Sequence, residues 1–180
     1  MATRREFIQK TALGAAGLTL GAKSYSRVTG ANDRVRVGIV GFSDRFRGSL
    51  APQFLAQSKE LNFEIVAVSD LWSKRREEAT TYFKSKGINV RTARNNDELY
   101  DGKDTDAVII STADFQHALL LAEAVRAGKD AYCEKPFAET MSDARAALKA
   151  VKETGKIVQI GSQRRSTPNY IAANEYIRSG

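Results

Sequence analysis

The sequence predicts an α/β protein built on a doubly wound parallel sheet, and two patterns support this fold class. Six short runs rich in β-branched and aliphatic residues alternate with longer helical segments, as expected for parallel strands covered on both faces. Glycines end three of the helical segments, each just before a strand: Gly87, Gly128 and Gly155. Such alternation indicates one sheet with helices on either side.

The elements follow from these patterns in order. The predicted strands are Val35–Val40, Phe63–Ser69, Asn89–Arg91, Ala107–Ser111, Ala131–Cys133 and Ile157–Ile160. The predicted helices lie near 47–59, 73–86, 96–101, 115–127, 141–154 and 168–179. Thr140 begins a capping box for the fifth helix, and Pro168 suits the first turn of the last one.

Composition limits the function classes. With 180 residues, the chain suits one domain with a real core. The single cysteine and single histidine exclude an internal disulfide and a cysteine cluster and make a zinc site very unlikely, so we expect no metal. The net charge is +7, but residues 1–31 carry +4 of it, with five basic residues against Glu6. We therefore expect no nucleic-acid partner, which would need a concentrated basic surface.

The N-terminal residues resemble an export signal. Arg4 and Arg5 precede a weakly apolar run of small residues, 11–22, which is too short to span a bilayer. Paired arginines before such a run predict a twin-arginine signal and linker over residues 1–31, the twin-arginine machinery as a partner, and a periplasmic or extracytoplasmic location. The alternative is an ordinary basic N-terminal helix. The folded domain is then residues 32–180.

The end of the first strand carries an incomplete dinucleotide fingerprint. Gly41 occupies the first glycine position of G-x-G-x-x-G, but Ser43 and Phe46 stand where the other two glycines would be. Ser43 could still admit the backbone and donate its hydroxyl to a phosphate, and Arg45 would add positive charge there. Phe46 either pushes the helix away or takes a core position. Alone, this signal fits a turn without a ligand equally well.

Asp70 ends the second strand, where an acidic residue accepts hydrogen bonds from the ribose hydroxyls of a dinucleotide. An aspartate there favours NAD over NADP, although Lys74, Arg75 and Arg76 could reverse that preference. The alternative is that Asp70 is the N-cap of the next helix.

Two further strand ends supply candidates. After the fourth strand, Thr112 is predicted to contact the cofactor, and His117 is either a neutral catalytic partner or a structural residue. After the fifth, Lys135 can act as proton donor or acceptor for a sugar hydroxyl, with its pKa lowered by burial and a nearby cationic ring. Glu134 would orient it, and the alternative is a solvated lysine before a turn.

Several motifs in order resemble the Gfo/Idh/MocA family, especially its exported members with twin-arginine leaders. The resemblance runs from about Arg34 to Gly180 and rests on five segments: 37–41, 66–70, 106–112, 132–136 and 158–165. It implies an NAD(P)-binding Rossmann domain followed by a substrate domain on an open β-sheet, and places Lys135 beside the nicotinamide. Two departures from the family pattern are present. Ser43 and Phe46 replace glycines of its loop, and Ala113 stands where the family usually has proline.

These inferences lead to a functional expectation. We expect a nicotinamide-dependent oxidoreductase that acts on a carbohydrate or cyclitol with tightly held NAD, NADP being the second choice. The alternatives are a glycosidase or epimerase that oxidises its substrate transiently, and a non-enzymatic carbohydrate-binding protein with a decayed cofactor loop. The chain is expected to be a truncated form lacking the substrate domain, with a homo-oligomer as one candidate assembly.

Overall fold

The computed structural model describes residues 34–164 and 167–180, in which six strands alternate with six α-helices. The strands are β1 (Val35–Val40), β2 (Phe63–Ser69), β3 (Arg91–Ala93), β4 (Ala107–Ile110), β5 (Asp130–Cys133) and β6 (Val158–Ile160). The helices are α1 (Ala51–Gln57), α2 (Ser73–Lys84), α3 (Asn96–Tyr100), α4 (His117–Arg126), α5 (Met141–Thr154) and α6 (Pro168–Arg178). A π-helical turn, Phe46–Leu50, leads into α1, and a 3-10 turn, Asp114–Gln116, leads into α4.

The strands form one sheet in the order β3-β2-β1-β4-β5-β6, and all neighbouring strands are parallel. The chain runs outward from β1 to β3, returns to β4 on the other side of β1, and continues to β6. The predicted doubly wound sheet is confirmed. Because the strand order reverses between β1 and β4, the connections that follow these two strands leave on opposite faces of the sheet, and a crevice opens between them.

Two apolar layers cover the sheet. Beneath the π-helical turn, α1 and α2, the layer is rich in aromatic rings, with Phe42, Phe46 and Phe83 fully buried. The opposite layer, under α3, α4 and α5, is aliphatic and includes Leu99 and Leu121. Burying these faces against the sheet is the main force that holds the helices in place.

Most predicted elements are confirmed within two residues, but the first helix is different. Ala51 donates its backbone N–H to the carbonyl of Phe46, five residues back, which widens the turn to a π-helical one. Pro52 explains the widening, because proline has no N–H and its ring collides with the carbonyl four residues earlier in a regular α-helix. The predicted single helix near 47–59 is therefore a π-helical turn followed by a shorter α-helix.

The third strand is also displaced from its predicted position. It comprises Arg91–Ala93 rather than Asn89–Arg91, and it pairs with residues 67–69 of β2 at the sheet edge. Ile88 and Val90 precede the strand, are half-buried and pack on the aromatic layer. The strand is placed by its partner rather than by its own apolar pattern.

The predicted caps of α5 are confirmed. The Thr140 hydroxyl accepts the N–H of Asp143 at 3.2 Å, and Gly155 ends the helix at φ 65°. No helix within residues 34–164 and 167–180 is long and apolar enough to cross a lipid bilayer. The predicted twin-arginine signal at residues 1–31 lies outside the described residues.

Candidate functional site

A cavity of about 710 Å³ lies at the carboxyl ends of β1, β2 and β4, where the strand order reverses. Four of the predicted site residues line it: Gly41, Ser43, Asp70 and Thr112. The volume falls in the range of pockets that hold cofactors and other small molecules. The cavity therefore lies where the sequence predicts a ligand site, at the ends of three strands that are distant in sequence.

Gly41 forms a tight turn at the floor of this cavity. Its φ is +85°, which residues with a side chain rarely adopt, and its N–H donates to the Ser69 carbonyl at 2.8 Å. A Cβ at this position would lie 2.6 Å from Cγ2 of Thr112 and 3.0 Å from the Ser111 carbonyl oxygen. Only glycine therefore fits here, as at the first position of a dinucleotide-binding turn.

Ser43 occupies the position of the second glycine and caps the following turn. Its hydroxyl oxygen accepts the Phe46 N–H at 3.1 Å and shares a hydrogen bond with the Ser111 hydroxyl at 3.0 Å. The side chain thus ties the turn after β1 to the end of β4 while lining the cavity. This hydroxyl already has two hydrogen-bond partners within the protein, so the predicted hydrogen bond to a phosphate would compete with them.

Phe46 occupies the position of the third glycine and takes a core position, the second of the two outcomes considered. The ring is completely buried and lies 5.8 Å from the Phe42 ring and 6.5 Å from the Phe83 ring. It is absent from the cavity wall. The missing glycine therefore changes the aromatic layer beneath the helix and leaves the cavity open.

Asp70 joins two turns at the edge of the cavity. One carboxylate oxygen accepts the Phe42 N–H and the other accepts the Trp72 N–H, both at 2.9 Å. The N-cap of α2 is Trp72, which makes no side-chain capping bond, so the alternative role of Asp70 as the helix N-cap is wrong. Because each carboxylate oxygen can accept two hydrogen bonds, both keep capacity for a ligand hydroxyl.

Thr112 presents an unsatisfied polar atom beside the glycine turn. The residue lines the cavity, and its hydroxyl oxygen is buried with no hydrogen-bond partner among the described residues. A buried hydroxyl without a partner costs about 1–3 kcal/mol. An atom of this kind in a cavity wall marks a position where a ligand can supply the missing hydrogen bond.

Arg45 and Glu134 do not line the cavity. The expectation that Arg45 adds positive charge beside a phosphate is therefore corrected. Nε of Arg45 donates to the Glu134 carboxylate at 3.1 Å, and Nη1 donates to the Ser49 hydroxyl at 2.9 Å. Glu134 is 3% exposed and also accepts the Tyr132 hydroxyl at 3.2 Å. Burial, with the Glu134 charge next in importance, raises the pKa of Tyr132 to about 12. Glu134 thus orients Arg45 away from the cavity.

Lys135 follows β5 at the same edge of the sheet but lies outside the cavity wall, and its side chain is exposed. The described residues therefore do not bury Lys135 as predicted. The Lys135–Pro136 peptide bond is cis. The role of Lys135 in proton transfer stays a prediction.

His117 begins α4 and is 1% exposed. Its Nδ1 lies 2.7 Å from the Pro136 carbonyl oxygen, and because a carbonyl only accepts, Nδ1 carries the proton. The imidazole thereby ties α4 to the turn after Lys135. It does not line the cavity, so the geometry favours the structural alternative over the catalytic one.

The structure adds cavity residues that the sequence analysis did not assign. Trp72, 56% exposed, lines the cavity two residues after Asp70, and Asn95 and Asn96 line it at the N-terminus of α3. An aromatic residue just beyond the acidic end of β2 is a signal that the sequence does contain. Arg75 also lines the cavity, as the only one of three consecutive basic residues to do so.

The sheet order, the glycine turn and the acidic end of β2 define a Rossmann-type nucleotide-binding domain. Residues 35–162 match the family model GFO_IDH_MocA, described as an oxidoreductase family with an NAD-binding Rossmann fold. The chain therefore belongs to the Gfo/Idh/MocA oxidoreductase family. The resemblance inferred from the motifs and the NAD cofactor class are both confirmed by this match.

Individual relatives and solved structures agree with the family match. An inositol 2-dehydrogenase of Salmonella typhimurium is 33% identical over 118 residues, covering 65% of this chain and 34% of that protein. One from Rubrobacter xylanophilus is 31% identical over 157 residues, covering 84% of this chain and 42% of that protein. The chain thus spans less than half the length of these relatives.

Among solved structures, the WlbA dehydrogenase from Bordetella pertussis, in complex with NADH and UDP-GlcNAcA, superposes with a TM-score of 0.71. Its sequence identity is 21%, and the match covers 82% of this chain and 42% of that chain. An NAD-binding protein from Listeria innocua gives a TM-score of 0.67 at 24% identity, covering 82% and 41%. At these identities the likeness shows the fold.

Proposed function

We propose that this chain is the cofactor-binding part of an NAD-dependent oxidoreductase that acts on a cyclitol or a carbohydrate. The observation that carries the proposal is the cavity wall at Gly41 and Thr112, which leaves no room for a Cβ and presents a buried hydroxyl without a partner. Both features fit a ligand that approaches the backbone closely and offers hydrogen-bonding groups.

Different residues of the chain would bind different parts of the cofactor. The turn at Gly41 exposes backbone to the diphosphate, Asp70 accepts hydrogen bonds from the adenosine ribose, and Thr112 bonds the cofactor through its free hydroxyl. A bound nicotinamide nucleotide supplies a ring that accepts or donates a hydride. Lys135, exposed at the same sheet edge, exchanges a proton with the substrate hydroxyl or carbonyl.

The substrate class rests on the relatives. Several of them are named inositol 2-dehydrogenases, which points to a polyol ring carrying a secondary hydroxyl. The chain's own contribution would be the primary amine of Lys135, which is exposed at the edge of the sheet where the cavity lies. Oxidation of a secondary hydroxyl needs two acceptors, one for the proton and one for the hydride.

The test replaces Thr112 with valine, which has the same shape but no hydroxyl. Calorimetric titration with NAD⁺ should show affinity falling by about threefold to tenfold, because one hydrogen bond is lost. The free energy of unfolding without NAD⁺ should rise, since an unsatisfied buried hydroxyl is removed.

Thr105→Val is the matched control. Thr105 is 3% exposed, its hydroxyl donates to the Asp104 carboxylate at 3.3 Å, and it does not line the cavity. This variant should lose stability and keep its NAD⁺ affinity. A wild-type chain that does not bind NAD⁺, or Thr112→Val binding it unchanged, would contradict the proposed role of the cavity.

We also propose export by the twin-arginine route, on the basis of Arg4 and Arg5 before a short apolar run. In an extracytoplasmic compartment NAD cannot exchange with the cytoplasmic pool, so the cofactor would be held tightly and recycled in each turnover. Replacing both arginines with lysine should retain the protein in the cytoplasm. Unchanged recovery from the periplasm would refute export by this route.

A further inference from the structure

Four charged side chains form a closed ring between the start of the first helix and α2. Asp44 bonds Arg47 and Arg75, both at 2.9 Å, and Glu78 bonds Arg75 at 3.0 Å and Arg47 at 3.5 Å. The ring joins the π-helical turn to α2. The hydrogen bond from Arg75 lowers the pKa of Asp44, so this carboxylate is charged at neutral pH.

Two members of this ring, Asp44 and Arg75, also line the cavity. The charged residues in the described cavity wall are Asp44, Asp70, Asp97, Glu123 and Arg75, which amounts to four carboxylates against one guanidinium. The single positive charge is shared between Asp44 and Glu78. The wall therefore offers a further phosphate group no uncompensated positive charge.

The two neighbouring basic residues have partners of their own. The Lys74 ammonium lies 5.4 Å from the centre of the Trp72 ring, and Arg76 donates to the backbone carbonyls of Asp70 and Leu71. Neither lines the cavity. Of the three residues that could attract a 2′-phosphate, only Arg75 faces the site, and Asp44 binds it there.

We propose that Asp44 is a specificity-determining residue: by holding Arg75 in the charged ring, it acts with Asp70 to exclude the 2′-phosphate of NADP and make the site selective for NAD. This inference rests on the proposed function. The physical reason is that a 2′-phosphate adds about two negative charges next to Asp70, and the described cavity wall holds no uncompensated positive charge to balance them.

The test compares the affinities of NAD⁺ and NADP⁺ by calorimetry in low salt. The wild-type chain should bind NAD⁺ at least tenfold more tightly. Asp44→Asn keeps the side-chain shape and leaves Arg75 with Glu78 as its one carboxylate partner in the ring, so the NAD⁺ to NADP⁺ affinity ratio should fall about tenfold, or about 1.4 kcal/mol. Adding Arg75→Gln to this variant should restore the preference for NAD⁺.

Glu77→Gln is the matched control, because it also removes one negative charge, from an exposed residue of α2 outside both the ring and the cavity wall. It should change the ratio less than twofold. Equal changes in Asp44→Asn and Glu77→Gln, or equal binding of both nucleotides by the wild type, would overturn the inference alone. Failure of the wild type to bind either nucleotide would overturn the proposed function as well.

Discussion

Phe46→Ala tests whether the ring at the third glycine position belongs to the core or to the cofactor site. The ring is fully buried against Phe42 and Phe83. Burial of a phenylalanine removes roughly 150–250 Å² from water, which at about 25 cal/mol per Å² is worth about 4–6 kcal/mol. Measured Phe→Ala losses in cores are about 3–5 kcal/mol, in agreement with this figure.

Urea unfolding followed by far-UV circular dichroism measures this loss. A decrease of about 3–5 kcal/mol is a large part of the roughly 5–15 kcal/mol that stabilises a typical domain, and corresponds to a melting temperature lower by about 6–20 °C. Below the unfolding transition, NAD⁺ affinity should stay within about threefold of wild type, because the ring is not in the cavity wall.

Phe115→Ala is the control, since Phe115 is 64% exposed and its removal should cost less than about 1 kcal/mol. Two results would refute the placement of Phe46 in the core. One is a loss of stability below about 1 kcal/mol. The other is a tenfold gain in NAD⁺ affinity, which would mean that the ring obstructs the cofactor.

Three further outcomes follow from single positions. Gly41→Ala should destabilise the fold by about 2 kcal/mol or more, since its φ is +85° and a Cβ would collide with Thr112. Gly48→Ala, in open space on the π-helical turn, should raise stability by about 0.5–1 kcal/mol, and equal effects of the two changes in urea unfolding would contradict the geometry. Burial raises the pKa of Cys133 to about 12, so an aromatic disulfide reagent near pH 8 should modify the native protein at least about a hundredfold more slowly than the unfolded chain. Comparable rates of modification would show an accessible thiolate and contradict the burial of this thiol. The Arg36 hydrogen bonds lower the pKa of Asp106 in the folded state, so the stability that they add is present above the unfolded pKa and is lost as the pH falls through the folded pKa. Asp106→Asn should therefore cost at most about 1 kcal/mol near neutral pH, given the exposure of the pair, and nothing in strong acid.

Local patterns predicted the fold because a doubly wound sheet repeats short-range signals. β1 and β2 have their predicted bounds, and Thr140 and Gly155 limit α5 as expected, because these features depend on residues close in sequence. β3 was shifted because a three-residue edge strand takes its register from β2. The π-helical turn depends on Pro52, which changes the hydrogen bonds of the preceding turn and leaves the helical pattern of residue types unchanged.

The candidate site was predictable in position but not in the direction of each side chain. Gly41, Asp70 and Thr112 line one cavity because parallel strands present their carboxyl ends at one edge of the sheet. The direction of Arg45 is set by Glu134, 89 residues away, and no local pattern predicts that pair.

Hydrogen–deuterium exchange with and without NAD⁺ tests the central claim, that the cavity at Gly41 holds the dinucleotide. Added NAD⁺ should slow exchange in three separate segments, around Gly41 to Asp44, Asp70 to Trp72 and Ser111 to Thr112, which meet at the cavity. Protection confined to the groove around Tyr132 and Gln159, which is a different pocket, would contradict the account, as would no protection at saturating NAD⁺.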